Sequence, residues 1–239
     1  MAVPVTPYAA VSTAPPTVPE SIVAEAIEEQ YALNGGFTPL ISERDQNFRL
    51  SSGSGKDYVV KVTSLAETPL ASAFRTAVLR HLEDLGTRGV PRLVRTGDGG
   101  CGGELEYEGQ CYALRVVRYL DGDLLASVAI DPVLARDFGT KLAAFDTALG
   151  GFRHAGESPL LLWDLQRATE LRELLGFIDD GALGRRVARA IDDFEANVAP
   201  QIKALRTQVI HGDANPENIL VAPSRRSVSG FIDFGDMLR

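Results

Sequence analysis

Three residues with carboxylate or amide side chains lie close together in the sequence near the C-terminus. They belong to the segment VIHGDANPENILVAPSRRSVSGFIDFGDMLR, residues 209–239. Asp213 and Asn218 are five positions apart in a loop between two short apolar segments, and Asp233 comes near the end of the next apolar segment. Carboxylate and amide oxygens suit Mg²⁺, which takes few protein ligands and completes its shell with water and substrate phosphate. The spacing therefore predicts a site for magnesium and phosphate, with Asn218 and Asp233 as metal ligands.

The order of these residues also matches the motif set of kinase-type phosphoryl transfer. That set has a loop aspartate, an asparagine five residues later and a downstream Asp-Phe-Gly, which here are Asp213, Asn218 and Asp233 with its two successors. Asp213 is then the predicted base that accepts the proton of the acceptor hydroxyl. His211 joins the candidate catalytic residues as one that orients the loop by hydrogen bonding. Each fragment alone is common in turns, so the prediction depends on their joint occurrence in order.

A phosphotransferase also needs a cation at the nucleotide phosphates, and the candidate is Lys61 in the apolar run YVVKV. An ammonium group within such a run is costly to bury unless it meets anionic partners. The alternative is an edge-strand lysine that points to water. Ser42 lies in the turn ISERDQN between the first two predicted strands, where its hydroxyl and backbone N–H groups could cap phosphate oxygens. The sequence does not contain the Walker pattern G-x-x-x-x-G-K-[ST], so a P-loop NTPase is not predicted.

Hydrophobic periodicity predicts the elements that would carry these residues. A helix is predicted over 20–33, and residues 37–118 then follow the order β-β-β-α-β-β. The strands are FTPLI, NFRL, YVVKV, PRLVRT and CYALRVVRYL, and the helix among them is LASAFRTAVLRHLEDLG, closed by Gly86. NFRL and YVVKV flank a turn cluster, which is typical of a hairpin.

After Gly122 the pattern becomes helical. Amphipathic helices are predicted over 131–149, 158–176 and 184–206, with short strands QVI, ILVAP and VSGFIDF around the polar loops. The predicted fold class is α+β with two lobes. A β-rich N-lobe over 20–118 would bind the nucleotide, and a helical C-lobe over 119–239 would carry the catalytic and metal loops. Residues 1–19 carry no charged side chain and are rich in Pro, Ala and Thr, which predicts a disordered tail.

Net charge and cysteine content limit the kinds of partner and the compartment that the sequence predicts. A net charge of −8 and a pI of about 5.0 argue against a broad nucleic-acid surface. No run approaches the ~18 apolar residues of a membrane helix, and the N-terminus has no basic segment of the signal-peptide kind. Cys101 and Cys111 have no metal-site spacing and are expected to be ordinary thiols in a reducing compartment. The expectation is a cytoplasmic protein that binds neither nucleic acid nor membrane.

Larger stretches resemble a known family. HGDANPENILV and GFIDFGD resemble the aminoglycoside phosphotransferase and choline kinase group, small-molecule kinases with a protein-kinase-like fold. YALNGGFTPLISERDQNFRL, LLWDLQRA and QVIHGDANPENILV are similar to its hydroxylysine-kinase-type branch. The resemblance implies magnesium-dependent transfer from ATP, or GTP, to a hydroxyl of a small amino-acid-like molecule. By position it makes Asp213 the base, Asn218 and Asp233 the magnesium ligands and Lys61 the phosphate lysine.

The resemblance also implies a hinge over Arg118, Tyr119 and Leu120, whose backbone would hydrogen-bond the nucleotide base. Two departures from the family pattern stand out. Such folds pair the strand lysine with a glutamate on the following helix, but this helix offers Arg75, which leaves Glu67 as a substitute. The family's C-lobe also continues beyond the Asp-Phe-Gly segment, whereas this sequence stops at Arg239.

Three accounts of that ending stay open: a fragment of a longer protein, a short form completed by a protein partner or by self-association, or a nucleotide-binding remnant. An exposed apolar patch and association are expected from a C-lobe that is not filled. Two other functions are weighed against small-molecule phosphorylation. One is a peptide Ser/Thr kinase that acts with a partner in peptide modification. The other is a non-catalytic, pseudokinase-like nucleotide-binding subunit, against which the presence of Asp213, Asn218 and Asp233 argues.

Overall fold

The structure, a computed structural model, describes residues 13–161, 163–202 and 204–239. These residues form two units, one of residues 13–158 with 208–239 and one of residues 159–207. Residues 1–12 of the predicted disordered tail lie outside the described residues. Near the C-terminal end of that predicted tail, Val18 is buried, and its backbone N–H and C=O both hydrogen-bond the Gln46 side chain at 2.9 Å. The ordered chain therefore begins before Glu20, earlier than predicted.

A five-stranded antiparallel sheet forms the first part of the larger unit. Its order is β1-β2-β3-β5-β4. The strands are β1 (Gly36–Leu40), β2 (Gln46–Ser51), β3 (Asp57–Val62), β4 (Gly103–Tyr107) and β5 (Gln110–Arg118). The predicted hairpin of NFRL and YVVKV is confirmed as β2–β3, in a register that sets Asn47 opposite Lys61. Strand β3 is interior to the sheet, between β2 and β5.

The fourth strand differs from the prediction. PRLVRT was predicted to be a strand, but it makes one isolated bridge, Leu93 with Val117. The strand that pairs with β5 is instead β4, joined to it by a tight turn at Glu108 and Gly109, whose φ angles are 48° and 73°. Two successive positive φ angles suit the right-handed twist of a two-residue hairpin. The predicted order β-β-β-α-β-β is thus correct, although its fourth strand was misplaced.

The two faces of this sheet are covered differently. Helix α1 (Glu20–Tyr31) buries Val23 and Ile27 in one core cluster with alternate residues of β3, Tyr58, Val60 and Val62. Since side chains alternate between faces along a strand, Lys61 points to the opposite face.

That opposite face meets helix α2 (Pro69–Asp84), which follows β3 in the chain. Arg115, the partner of Lys61 in register on β5, hydrogen-bonds Ser72 and Thr76 of α2. Thr68 caps α2 by accepting from the Ala71 N–H, and Pro69 occupies its first turn, where a missing N–H costs nothing. Lys61 is therefore on the side of the sheet that faces α2.

The rest of the larger unit surrounds a small antiparallel sheet of order β6-β7-β8, formed by β6 (Asp123–Leu124), β7 (Ile219–Val221) and β8 (Val228–Phe231). A short 3-10 turn, Leu125–Ser127, follows β6. Helix α3 (Pro132–Leu149) confirms the helix predicted over 131–149, with Asp131 as its N-cap. Its buried side chains share one core with β7 and β8: Leu134, Phe145, Leu149, Ile219, Val221, Val228 and Phe231.

The smaller unit, residues 159–207, contains helix α4 (Gly181–Asn197), the short helix α5 (Ala199–Ile202) and 3-10 turns over Leu165–Phe177. The α-helix predicted over 158–176 is replaced by these turns, none of whose residues is buried. Most helices depend on burying an amphipathic face, so the pattern alone was not sufficient. The helix predicted over 184–206 begins earlier and is interrupted next to Pro200, which cannot donate a backbone hydrogen bond.

In the part of the chain that the structure describes, no helix combines the length and the apolar character needed to cross a membrane.

Candidate active site

The β7–β8 hairpin brings the two predicted metal ligands together. Asn218 immediately precedes β7, and Asp233 comes two residues after β8. Ile219 pairs with Phe231 in register, and the Ile232 N–H donates to the Asn218 carbonyl at 2.9 Å. Antiparallel pairing therefore sets the start of one strand beside the end of the other. The sequence separation of 15 residues between Asn218 and Asp233 is closed by this one hairpin.

Asp213 and Asn218 are joined directly. The Nδ2 group of Asn218 donates to the Asp213 carbonyl at 3.0 Å and to its Oδ2 atom at 2.9 Å. Asn215 Nδ2 donates to the other carboxylate oxygen, Oδ1, at 2.8 Å. Because a primary amide has two donor hydrogens, both of those on Asn218 are used and its Oδ1 is left for a cation. The carboxylate of Asp213 is held in place while it keeps lone pairs to accept from a hydroxyl.

His211 holds this loop in place by packing and hydrogen bonding. Its side chain is 1% exposed and packs against the rings of Phe145 and Phe234. The Nε2 atom is 3.0 Å from the Ile232 carbonyl, and the Nδ1 atom accepts from the Asp213 N–H at 3.4 Å. A carbonyl can only accept, so Nε2 carries the proton and Nδ1 does not. Burial lowers the pKa of His211, which favours this neutral form and an orienting role.

Gly212 allows the loop to approach the segment after β8. Its φ angle is +79°, and a Cβ atom added there would be 2.0 Å from the Asp236 carbonyl oxygen. Glycine is thus required both by the left-handed backbone and by the close approach. The HGD tripeptide is therefore a structural motif as well as a chemical one.

Asp233 also has left-handed backbone angles, φ 55° and ψ 83°. Its Oδ1 atom accepts from the Gly235 N–H at 3.1 Å, and 51% of its side chain is exposed. Partial enclosure works to raise the pKa of Asp233, but Lys61 and the Gly235 N–H outweigh it and hold the pKa below its usual value. The carboxylate is therefore anionic and open to a ligand.

Lys61 meets Asp233 across the site. Its Nζ atom is 2.9 Å from Asp45 Oδ2 and 4.0 Å from Asp233 Oδ1. The side chain is 20% exposed and belongs to an interior strand. The alternative of an edge-strand lysine that points to water is therefore wrong. Lys61 and Asp233, which are 172 positions apart in the sequence, thus belong to one cluster of charged side chains.

Glu67 does not pair with Lys61, contrary to the substitution considered from the sequence. It forms an ion pair with Arg75, and its Oε1 atom is 4.0 Å from an Arg115 nitrogen. Arg75 also donates to the Gly235 carbonyl, and its buried guanidinium has a pKa lowered by burial to about 10. The acid at Lys61 is Asp45, which sequence reasoning missed. The available signal was its position in ISERDQN, two residues before Asn47, the partner of Lys61 in register.

The other predicted nucleotide contacts are placed as follows. Ser42 lies in the loop between β1 and β2, where its Oγ accepts from the Asp45 N–H at 3.3 Å. The N–H of Arg118 donates to the Arg92 carbonyl at 2.8 Å, and that of Tyr119 to the Asp57 carbonyl at 3.0 Å. Within the described residues, these two N–H groups are thus already engaged. Among the residues that the structure describes, Leu120 is the hinge residue whose N–H makes no such backbone bond.

One further pair was not anticipated. Arg44, next to Asp45, forms an ion pair with Asp236, whose side chain is 11% exposed. Burial raises the pKa of Asp236 in spite of the Arg44 guanidinium. Asp236 had no role in the sequence analysis, and the structure connects it to the β1–β2 loop.

Comparison with protein families identifies the class. Residues 36–238 match the APH model, described as the phosphotransferase enzyme family. The match covers most of the chain, so the protein belongs to this family, and the resemblance drawn from its motifs is confirmed.

Individual relatives agree with this assignment. A hydroxylysine kinase of Danio rerio is 27% identical over 240 residues, covering 93% of this chain and 66% of the relative. A hydroxylysine kinase of Mus musculus is 28% identical over 256 residues, covering 95% of this chain and 66% of the relative. The chain thus spans about two thirds of the length of the curated relatives that it matches.

Among solved structures, an amicoumacin kinase in complex with AMP-PNP, Ca²⁺ and Ami has a TM-score of 0.65 at 13% identity, over 92% of this chain and 65% of that one. This likeness shows the fold, and the predicted α+β, protein-kinase-like class is confirmed.

Proposed function

We propose that this protein is a phosphotransferase that moves the γ-phosphate of ATP to a hydroxyl of a small amino-acid-like molecule. The observation that carries the proposal is one cluster: Asp213 held by Asn218, and Asp233 facing Lys61 at 4.0 Å. A nucleotide-binding remnant has no physical need for both halves of this cluster. Membership of the phosphotransferase family supports the same reaction class.

The residues divide the chemistry between them. Lys61 binds and neutralises phosphate oxygens, and Asp213 aligns the acceptor hydroxyl and takes its proton. Magnesium fits the donor set, because the free Oδ1 of Asn218 and the exposed carboxylate of Asp233 are hard oxygen ligands. The described residues contain no group of three or more His, Cys, Asp or Glu side chains able to hold a metal, so the remaining positions would go to phosphate and water. Held by Asn218 and Asp233, magnesium would supply positive charge to offset the negative charge of the phosphates.

The nucleotide would lie between the loop of residues 41–45 and the segment from Arg118 to Leu120. Ser42 is the proposed phosphate contact and Leu120 the proposed backbone contact to the base. We also keep the division into an N-lobe over 20–118 and a C-lobe over 119–239 as a proposal, supported by the five-stranded sheet that ends at Arg118. ATP is the proposed donor, with GTP as the alternative to be tested.

The acceptor class is inferred from the relatives. The two described above are hydroxylysine kinases, which favours a hydroxylated amino acid as acceptor for this chain. Hydroxylysine is therefore the first compound to test, followed by serine, threonine and amino alcohols.

The experiment is a nucleotide-consumption assay with the purified chain, Mg²⁺ and either ATP or GTP, run with each acceptor singly. The expected result is ADP release that depends on one acceptor, with the phosphorylated product identified by mass spectrometry. A matched chain carrying Asp213→Asn reports background ATPase. Tight nucleotide binding with no transfer to any acceptor would contradict the proposal and favour a non-catalytic subunit.

We further propose that the protein is cytoplasmic and self-associates or binds a protein partner. Several large apolar side chains of the smaller unit are exposed: Trp163, Leu165, Phe177, Leu183 and Leu205. Exposed apolar groups of this kind favour association. Sedimentation velocity over a range of concentrations tests this, and a monomer at every concentration contradicts self-association.

A further inference from the structure

The acid nearest to Lys61 comes from the loop between β1 and β2. Asp45 Oδ2 is 2.9 Å from Lys61 Nζ, and both side chains are largely enclosed, 12% and 20% exposed. A charge-assisted hydrogen bond of this length in a sheltered site holds a flexible lysine in one position. The second acid within 4.0 Å is Asp233, the proposed metal ligand.

Asp45 is itself fixed in place. Its Oδ1 atom accepts from the Ser64 N–H at 2.8 Å, just after β3. The two oxygens of one carboxylate thus hold the backbone after β3 and the ammonium group carried by β3. The Lys61 ammonium and the Ser64 N–H together keep the pKa of Asp45 low, although burial alone would raise it.

Helix α2 contributes a cation in this region. Arg75 is 7% exposed, pairs with Glu67 and donates to the Gly235 carbonyl. Glu67 is also 4.0 Å from Arg115, so its charge compensates two buried guanidinium groups. Glu67 is thus paired with cations other than Lys61.

The same loop also reaches the segment after Asp233, because Arg44 forms an ion pair with Asp236. Two adjacent residues therefore connect the loop to the charge cluster: Arg44 binds Asp236, and Asp45 binds Lys61. Ser42, in the same loop, is the proposed phosphate contact.

We propose that Asp45 is the positioning residue for Lys61, and that the β1–β2 loop thereby both covers the phosphates and sets the lysine that binds them. This inference rests on the proposed function for its consequence, but the pairing itself can be tested without turnover. Glu67 has a separate role, which is to hold Arg75 against Gly235.

The test is pulse acetylation of amines in the folded protein, read out by mass spectrometry of the Lys61 peptide. Lys56, in an exposed turn, is the internal reference. Asp45→Asn is the informative variant, since its amide oxygen still accepts from Ser64 while the charge at Lys61 is lost. Asp192→Asn, which removes an exposed acid bound to Arg172, is the matched control, and Glu67→Gln tests the competing acid.

Lys61 in Asp45→Asn is expected to be labelled at least about tenfold faster, the factor for loss of one charge-assisted hydrogen bond. Asp192→Asn should label as the wild type does, and Glu67→Gln should raise Lys61 labelling by less than Asp45→Asn does. Wild-type labelling rates in Asp45→Asn, or an equal increase in Glu67→Gln, overturn the pairing. If the wild type phosphorylates an acceptor, Asp45→Asn should also lose up to about 100-fold in kcat, the scale of a misplaced catalytic group, with a smaller change in KM for the acceptor.

A second measurement on the wild-type chain decides the matter if Asp45→Asn does not fold. A carbodiimide activates a carboxylate, which couples to an adjacent amine as an amide with loss of the urea by-product. The expected product is a Lys61–Asp45 link. Absence of that link, or a Lys61–Glu67 link in its place, overturns the proposal. Failure of the phosphotransfer assay alone leaves both pairing tests valid and counts against the proposed function only.

Discussion

The Nδ2 group of Asn218 donates to both the carbonyl and the carboxylate of Asp213, at 3.0 and 2.9 Å. This relationship fixes two things at once. It sets the orientation of the proposed base, and it leaves the amide oxygen of Asn218 available for the proposed metal ion. The five-residue spacing between the two is therefore what would allow the Asn218 side chain to serve both the proposed base and the proposed metal.

Removal of the base should separate chemistry from binding. Asp213→Asn keeps the shape of the side chain but cannot accept the acceptor proton, so kcat is expected to fall by about 10²–10⁴-fold. The Kd of the nucleotide, measured by calorimetry, should change little, because Asp213 is not a proposed metal ligand. Unchanged turnover in this variant would show that the base has been assigned wrongly.

Removal of the proposed metal ligand Asp233 should instead weaken nucleotide binding. Asp233→Ala is expected to weaken binding of the Mg²⁺–nucleotide complex by about 10- to 100-fold, while binding without Mg²⁺ changes less. Calorimetric titrations with and without the ion measure this difference. Asp123→Ala removes a different acid, in strand β6 and paired with Arg225 at 3.5 Å, and is the control. An equal effect of both variants would contradict a metal role for Asp233.

Gly212 should not tolerate a side chain. Gly212→Ala combines a left-handed φ with a Cβ position 2.0 Å from the Asp236 carbonyl oxygen, and the backbone strain alone costs about 1–3 kcal/mol. Gly109→Ala is matched to it, with φ +73° and no atom within 4 Å of the added Cβ. Urea denaturation should show a larger loss of unfolding free energy for Gly212→Ala. Equal losses would mean that the close approach does not constrain the loop.

The Arg75–Glu67 pair should behave as a coupled, buried unit. The side chains are 7% and 11% exposed, and breaking a buried pair by removing one partner costs about 3–5 kcal/mol. The double variant Arg75→Met/Glu67→Gln should lose less than the sum of the single variants. The more exposed pair Arg49–Asp57, treated in the same way, should show coupling of only about 0–1 kcal/mol. Additive losses at Arg75 and Glu67 would refute the coupling.

His211 should make stability depend on pH. Its folded pKa is lowered by burial from the ordinary value of 6.5, so below that value the unfolded chain binds more protons than the folded chain. The free energy of unfolding should therefore fall as the pH drops from about 6.5 through the lower folded pKa. His211→Gln should reduce this slope in urea denaturation between about pH 7.5 and pH 5. An unchanged slope in His211→Gln would mean that His211 does not titrate differently on folding.

Much of the fold could be predicted because it follows from local pattern. The hairpin of β2 and β3, helix α3 and the β-rich order before Arg118 all result from periodicity and turn residues that act over a few positions. The misplaced strand PRLVRT and the helix predicted over 158–176 failed where tertiary pairing or burial decided. Leu93 pairs at a single bridge, and the turns over Leu165–Phe177 bury no residue.

The candidate site likewise combines residues that the sequence predicts with a contact that only the fold determines. The sequence by itself determined Asp213, Asn218, Asp233 and Lys61 as a candidate set, because their residue types and spacing suit the chemistry proposed for a metal–phosphate site. Only the tertiary structure decided the partner of Lys61. An ion pair between a strand and a preceding loop depends on hairpin register and on which acids are already neutralised, and neither is visible along the chain. In the structure Asp45 is the acid at Lys61, whereas Glu67 pairs with Arg75 and lies 4.0 Å from Arg115.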